Sequence, residues 1–174
     1  MLSQNTNVNA EPFDLKKSAR LNVSNETRVP FNGTAWWSLR RPDASVIREG
    51  RFDVHVPPMS AVWLDEQDFH DEDTYGCYYA YELLDEAGEY AGGGSVLFCP
   101  PKHFRFLDPQ LEARVEGNEV IVTARAYARS VELQCGPDVL LEDNFFDMNA
   151  GERHVCILRG TPTSLFVRSV YDIK

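Results

Sequence analysis

The chain has 174 residues, 43% of them hydrophobic, and its 27 acidic and 17 basic side chains give a formal net charge of −10. This length holds one large or two small domains, and the composition is typical of a globular protein with a packed core. The negative charge repels phosphate backbones and anionic lipid surfaces, which argues against nucleic acid and membranes as partners. The negative charge does not disfavour the binding of neutral ligands such as sugars.

The four cysteines are widely spaced, with no Cys-x-x-Cys pair and no histidine placed to complete a zinc site: Cys77, Cys99, Cys135 and Cys156. We expect small buried hydrophobic side chains rather than disulfides, because a chain of this size folds without cross-links, although two bridges would fit an oxidising compartment. The sequence after Met1 lacks a secretion signal, and no stretch reaches the ~18–20 apolar residues of a membrane helix. We therefore expect no metal, no cofactor and no membrane anchor, and we favour a cytoplasmic location while the compartment stays open.

Residues 1–17 are polar and rich in asparagine, which predicts a linker or the tail of a preceding domain. From Ser18 onward, short runs alternate between apolar and polar residues, the pattern of half-buried strands. The predicted strands are 19–24, 34–40, 52–56, 60–64, 77–84 and 94–99. Pro42-Asp43 and Pro57-Pro58 end strands, and residues 85–89 have the composition of a hairpin turn.

Pro100-Pro101 forms a stiff joint, after which the strand pattern resumes. The predicted strands are 104–107, 111–115, 119–126, 131–134, 139–141, 154–158 and 164–170, with Glu116-Gly117-Asn118 as a three-residue hairpin loop. Helix signals are nearly absent. We therefore predict an all-β chain of two consecutive immunoglobulin-like β-sandwich domains, over residues 18–99 and 100–174.

Residues 142–152 gather acidic, amide and aromatic side chains in one short run, Glu-Asp-Asn-Phe-Phe-Asp-Met-Asn-Ala-Gly-Glu. Asp143 and Asn144 can hydrogen-bond nearby backbone and so fix a corner, while Phe145 and Phe146 can fill the end of a sandwich core. The remaining members of the predicted corner, which re-aim the chain into the strand at 154–158, are Asp147, Gly151 and Glu152. We predict a structural corner, since nothing beside it supplies a nucleophile or base.

Three stretches resemble the C-terminal domain of family 2 glycoside hydrolases, most closely the β-mannosidase-like members. They are Val-Leu-Phe-Cys-Pro-Pro-Lys-His-Phe at 96–104, Val-Ile-Val-Thr-Ala-Arg-Ala-Tyr-Ala-Arg-Ser-Val-Glu-Leu at 120–133, and the corner motif at 142–152. Glu142 stands where the family has serine, and Met148-Asn149-Ala150 replaces Leu-Leu-Pro. Leu-Asn-Val-Ser-Asn-Glu-Thr at 21–27 is similar to a strand and turn of the family's preceding domain, so the resemblance covers residues 18–172.

The resemblance implies a parent glycosidase that hydrolyses terminal β-linked sugars by the retaining mechanism. The family's catalytic carboxylates lie on a (β/α)₈ barrel of ~250 residues, so no catalytic residue is expected in this chain. The implied partners are the catalytic barrel domain of the same parent chain and the parent's oligosaccharide substrate. Alternatives are the end domains of a β-galactosidase or exo-glucosaminidase, a stand-alone carbohydrate-binding module, or a tandem immunoglobulin-like adhesion protein.

Three tryptophans are the residues most suited to stacking on sugar rings or to an interdomain contact: Trp36, Trp37 and Trp63. Because adjacent strand residues point to opposite faces, Trp36 and Trp37 cannot both enter one core. The run at 65–73 holds six carboxylates in nine residues. It lacks the loop glycine and ligand spacing of an EF-hand, which favours a solvated acidic loop over a calcium site.

Overall fold

The computed structural model describes residues 17–173 and the backbone of residues 2–4, and it divides into two compact units. Unit 1 is Met1–Arg41 with Val46–Phe104, and unit 2 is Pro42–Ser45 with Arg105–Lys174. All pairs of neighbouring strands in both units are antiparallel. The prediction of an all-β chain with two consecutive β-sandwiches is confirmed.

Unit 1 is a sandwich whose larger sheet has four strands. Its strands are β1 (Leu2–Gln4), β2 (Ser18–Ala19), β3 (Leu21–Asn25), β4 (Phe31–Arg40), β5 (Val46–Val56), β6 (Ser60–Trp63), β7 (Gln67–Asp68), β8 (Tyr78–Asp85) and β9 (Tyr90–Leu97). The four-stranded sheet has the order β5-β4-β8-β9, opposed by β1-β3-β6 and the short pair β2-β7. Residues 5–16 of the predicted linker lie outside the described residues, whereas Leu2–Gln4 pairs with β3.

Aromatic side chains dominate the core of unit 1. The indole of Trp37 stacks on Tyr79 with ring centroids 5.8 Å apart, and Phe69 contacts both rings. Phe69 lies within the run predicted to be a solvated acidic loop, yet it is almost fully buried. The segment is held by this buried ring, by the pairing of β7 with β2, and by Lys17, whose Nζ donates to the Glu72 carbonyl at 2.8 Å.

The turns of unit 1 follow the predicted chemistry, but its strands are longer than predicted. Strand β4 ends two residues before Pro42, and β5 ends directly before Pro57. Both ends are expected, because proline has no backbone N–H to donate to a ladder. At the hairpin between β8 and β9, the Asp85 carboxylate accepts from the backbone N–H groups of Ala87 and Glu89, both at 2.9 Å. Strand β5 begins six residues earlier than predicted, because its polar first half pairs with β4 and needs no apolar alternation.

Unit 2 is the second sandwich. Its strands are β10 (Glu112–Glu116), β11 (Glu119–Ala124), β12 (Ala128–Gln134), β13 (Leu140–Leu141), β14 (Phe146–Met148), β15 (Gly151–Arg159) and β16 (Phe166–Arg168). One sheet has the order β10-β11-β15-β13 and the other β14-β12-β16. Valine side chains at the centre of the core are fully buried, among them Val120, Val122 and Val131.

Two predictions for the chain after Pro100 are wrong. Residues 104–107 form no strand, and a short 3₁₀ helix, Pro101–His103, precedes them. Phe104 is nevertheless buried, with its ring against that of Tyr78. The loop between β10 and β11 has two residues rather than three, because Glu116 pairs directly with Glu119. Gly117 takes a φ of 58°, the left-handed conformation that such a tight turn requires.

The four cysteines are free thiols, and three of them are buried: Cys77, Cys99 and Cys135. Burial, and then the nearby carboxylates of Glu72 and Asp73, raise the pKa of Cys77 to about 12. Such a thiol behaves as a small hydrophobic side chain. Among the described residues, no helix is long and apolar enough to cross a membrane.

Candidate functional site

The corner predicted at residues 142–152 lies in unit 2, where it repairs a break in the neighbouring strand β12. The register between β12 and β14 shifts between the pair Ala128 and Met148 and the pair Val131 and Phe146. Such a bulge leaves backbone groups without ladder partners. Of two corner side chains that bond to the β12 backbone, Asp147 does so at the bulge and Asn144 does so beyond the end of β14.

Asn144 extends the ladder with its side chain. Its Oδ1 accepts from the Leu133 N–H at 2.8 Å, and its Nδ2 donates to the Leu133 carbonyl at 3.0 Å. Counting on from the Val131 and Phe146 pair, Asn144 is the residue that would stand opposite Leu133. The carboxamide, which carries one acceptor and two donors, therefore takes the place of a backbone peptide there.

Asp147 caps the bulge itself. Its Oδ1 accepts from the Ser130 N–H at 2.8 Å, and its Oδ2 accepts from the Tyr127 hydroxyl at 3.3 Å. Ser130 has a φ of 50°, a conformation that costs energy in a residue with a side chain. The carboxylate thus holds a strained backbone position in place.

The two phenylalanines of the corner do not share the role predicted for them. Phe146 is buried in the core of unit 2, with the guanidinium of Arg153 4.1 Å from its ring centroid. Phe145 is 61% exposed and has a φ of 60°. The prediction that both rings fill the core is wrong for Phe145, which precedes β14 in a left-handed backbone conformation that leaves its ring exposed.

The carboxylates of the corner are held by basic side chains. Arg153 donates to Asp143, and Arg114 and His154 flank Glu152, each at 3.1 Å. Hydrogen bonds from Arg114 and then His154 lower the pKa of the Glu152 carboxyl. Each of these acids already has a partner, so the arrangement is that of a surface network and not of a general acid facing a nucleophile.

Within residues 17–173, no three or more His, Cys, Asp or Glu side chains are grouped in a way that could hold a metal ion. In the acidic run at 65–73, Asp68 accepts from the His70 N–H at 2.9 Å and Asp73 from the Tyr75 N–H at 3.1 Å. These short-range bonds are those of Asx turns. These carboxylates therefore stabilise the backbone of their own loop.

The three predicted tryptophans occupy different environments. Trp37 packs against the core of unit 1, whereas its neighbour Trp36 points away from that core and is 40% exposed. Trp63 lies on the opposite sheet, where the guanidinium of Arg20 is 5.3 Å from its ring centroid. The three side chains thus form no common site within unit 1.

Trp36 has neighbours on the outer face of the four-stranded sheet that no sequence pattern predicts. Its cross-strand partners are Arg51 on β5 and Glu82 on β8, and Glu82 in turn pairs with Gly93 on β9. The Arg51 guanidinium lies 5.5 Å from the Trp36 ring centroid. Tyr90, 60% exposed, lies against Gly93, so close that a Cβ on this glycine would be 3.1 Å from the tyrosine hydroxyl.

Unit 2 also has an open cleft of about 530 Å³ beside the corner. Asn144 and Leu133 form one wall, and Leu140 on β13 and Ser164 stand among the other lining residues. The described charged residues of the corner do not line it. The cleft is lined by apolar side chains and by uncharged polar ones, among them Gln134 and Ser164.

The sequence of the chain matches two known domain families, one after the other. Residues 17–103 match the mannosidase Ig/CBM-like domain. The chain belongs to the mannosidase Ig/CBM-like domain family. Residues 106–173 match a second family model, described as an Ig-fold domain. The predicted resemblance to C-terminal domains of β-mannosidase-like family 2 glycoside hydrolases, and the immunoglobulin-like form of the sandwiches, are confirmed.

Solved structures similar to this mannosidase-type domain pair come from larger proteins. A β-D-mannosidase from Dictyoglomus thermophilum aligns with a TM-score of 0.75 and 17% identity, over 97% of this chain and 21% of that chain. The exo-chitosanase CsxA from Amycolatopsis orientalis aligns with a TM-score of 0.61 and 13% identity, over 97% of this chain and 26% of that chain. The chain thus spans about a fifth to a quarter of the length of these proteins. A comparison with curated proteins found no match.

Proposed function

We propose that this chain is the non-catalytic C-terminal portion of a β-mannosidase-like glycoside hydrolase. The two sandwiches pack against a catalytic (β/α)₈ barrel of the same parent chain and stabilise it. The observation that carries the proposal is the alignment to the Dictyoglomus β-D-mannosidase, which covers 97% of this chain but 21% of that one. The remainder of such a protein has ample room for a barrel of ~250 residues.

The chemistry of the acidic side chains supports a non-catalytic role. Glycoside hydrolysis by the retaining mechanism needs two carboxylates ~5–5.5 Å apart across the scissile bond. In the corner, Asp143 is bound to Arg153, Asp147 to the backbone of β12, and Glu152 to Arg114 and His154. These carboxylates are committed to holding the fold.

The reaction proposed for the parent is hydrolysis of terminal β-linked sugars, with a β-mannoside as the first choice. The description of the first family as a mannosidase domain supports this choice, as does the higher TM-score to the β-D-mannosidase, 0.75 against 0.61 for the exo-chitosanase. A β-glucosaminide is the alternative substrate, which the similarity to the exo-chitosanase supports. Oligosaccharide substrate would contact the barrel.

The test compares three proteins: the 174-residue chain, the intact parent, and the parent truncated before Met1. Each is assayed with an aryl β-mannoside and an aryl β-glucosaminide, and its thermal unfolding is recorded. We expect no turnover by the chain alone, and a lower unfolding temperature and activity for the truncated parent. Turnover by the isolated chain, or a truncated parent as stable and active as the intact one, would overturn the proposal.

A further inference from the structure

The outer face of sheet β5-β4-β8-β9 in unit 1 has the chemistry of a sugar-binding surface. In a sandwich, this face would ordinarily carry small or charged side chains, since the other face fills the core. Here Trp36 is 40% exposed in the second strand of the sheet and Tyr90 is 60% exposed on the edge strand. The two aromatic side chains lie on the same face, because Tyr90 pairs with Leu84, Leu84 pairs with Thr34, and Thr34 is two residues from Trp36.

A carboxylate stands between these two aromatic side chains. Glu82 on β8 is exposed and is the cross-strand partner of Trp36. Its carboxylate makes no hydrogen bond or ion pair with any residue that the structure describes, and neither does the indole N–H of Trp36. These are an acceptor and a donor that remain available for a ligand.

Strand spacing fixes the length of ligand that would fit. Trp36 on β4 and Gly93 on β9 are two strand spacings apart, or ~10 Å, a span of about two consecutive pyranose rings. Gly93 has no side chain, and the ring of Tyr90 lies against it. One aromatic side chain would therefore meet each of two neighbouring sugar rings.

The groups on this surface match hydroxyl chemistry. The electron-rich face of an aromatic ring attracts the polarised C–H groups of a pyranose, while sugar hydroxyls both donate and accept hydrogen bonds. Glu82 accepts only and Arg51 donates only, and the two opposite charges cancel locally. The Arg51 guanidinium also fixes the indole of Trp36 from one side, at 5.5 Å from the ring centroid. A neutral ligand suits this surface better than a charged one.

We propose that Trp36, Glu82 and Tyr90, with Arg51 beside Trp36, form a binding platform for a neutral oligosaccharide of two or more pyranose rings. Trp36 and Tyr90 stack on successive rings, and Glu82 accepts hydrogen bonds from hydroxyls between them. The platform goes beyond the scaffold role, because it would hold a glycan on the chain itself, whether or not the barrel is present. Trp37 has no part in it, since its indole packs in the core.

The test is isothermal titration of the 174-residue chain with two neutral glycans, mannotetraose and N-acetylated chitotetraose. We expect one site for at least one glycan, and a loss of affinity of about tenfold or more in W36A and in Y90A. W63A is the matched control, an exposed tryptophan on the opposite sheet, and should bind like the unmodified chain. Urea unfolding of each variant separates loss of the site from loss of the fold.

Three results would overturn the platform: no binding of either glycan at millimolar concentration, unchanged affinity in a folded W36A, or loss of binding in a folded W63A. A smaller loss of affinity in E82A, with W36A and Y90A as expected, supports the arrangement of the three side chains. None of these results depends on the truncated parent enzyme. The platform and the scaffold role can therefore fail separately.

Discussion

At the scale of single residues, the corner of unit 2 is held by side chains that replace backbone. The Asn144 carboxamide exchanges two hydrogen bonds with Leu133, and the Asp147 carboxylate accepts from Ser130. Without these side chains, the Ser130 N–H at the bulge and the Leu133 N–H and C=O, which lie beyond the end of β14, would have no partner on this side of β12. An unsatisfied buried N–H or C=O destabilises a fold. The motif is therefore explained by what it contacts on another strand.

Replacing Asn144 by alanine should destabilise unit 2 by about 2 kcal/mol, since two hydrogen bonds are lost and the Leu133 backbone groups keep no partner. Urea unfolding measures this change. The control is Q134A, because the exposed Gln134 amide donates to the Glu132 carboxylate at the surface and its loss should change stability by less than about 0.5 kcal/mol. Equal stability of the two variants would contradict the role given to Asn144.

Two adjacent phenylalanines should respond in opposite directions. F146A removes a buried ring and should cost about 3–5 kcal/mol. F145G should raise the free energy of unfolding by about 0.5–1 kcal/mol, because relief of left-handed strain exceeds the entropy cost of glycine and little buried surface is lost. Chemical denaturation of both variants checks this, and a destabilised F145G would show that the exposed ring makes contacts of its own.

At the scale of elements, the β4–β5 hairpin depends on a glycine opposite a tryptophan. Gly50 pairs with Trp37, and a Cβ on this glycine would lie 2.8 Å from the indole Nε1. The indole cannot retreat, because it stacks on Tyr79 and contacts Phe69. The aromatic core of unit 1 can therefore pack in this way only if residue 50 has no side chain that would clash with the indole.

G50A should therefore destabilise unit 1 by about 1–3 kcal/mol, although alanine is ordinarily the better strand residue. The matched control is G76A, where a Cβ would meet the carboxylate end of Asp73, which can move aside. Thermal unfolding of the two variants should rank G50A well below G76A. The reverse order would show that Trp37 can shift at little cost.

The strands β10, β11 and β15 are joined on their exposed side by a charged network that should depend on pH. Hydrogen bonds that the His154 imidazole donates to the carboxylates of Glu119 and then Glu152 raise the pKa of His154. A raised histidine pKa stabilises the fold below its ordinary value of 6.5, and this stabilisation is lost as pH rises through the folded-state pKa.

H154Q should therefore lower the urea midpoint more at about pH 5.5 than at about pH 9, where the imidazole is neutral in both folded and unfolded states. The size of the effect is small, because these side chains are exposed and screened by water. Midpoints at both pH values measure it. If the difference in urea midpoint between H154Q and the unmodified chain grew toward high pH, the sign of the linkage would be contradicted.

At the scale of the whole molecule, the reactivity of the four thiols depends on how far the core of each unit is shielded from solvent. Cys77, Cys99 and Cys135 are buried, whereas Cys156 on β15 is partly exposed. Maleimide labelling under native conditions, read by mass spectrometry, should therefore modify Cys156 first and the other three on unfolding. A reducing agent should leave the unfolding midpoint unchanged. A midpoint that falls on reduction would reveal a disulfide.

Across the whole chain, the strands that the sequence located best are those with alternating apolar residues and clear turn chemistry. The hairpin at Asp85 and the proline stops were predicted correctly, because they depend on local backbone chemistry. The first half of β5 and the short strand β14 were missed, since each is held in place by its partner strand. Phe69 was missed for the same reason: only packing against Trp37 and Tyr79 distinguishes it from the acidic loop around it.

By itself, the sequence determined that this protein is all-β, that it has two sandwiches, and that Trp36 and Trp37 face opposite ways. These follow from period-2 patterning, turn residues and the geometry of an extended chain, which are local properties. Only the tertiary structure decided that Asn144 completes the ladder at Leu133, and that Trp36, Glu82 and Tyr90 share one face. Those juxtapositions arise from register between distant strands, which no short stretch of sequence specifies.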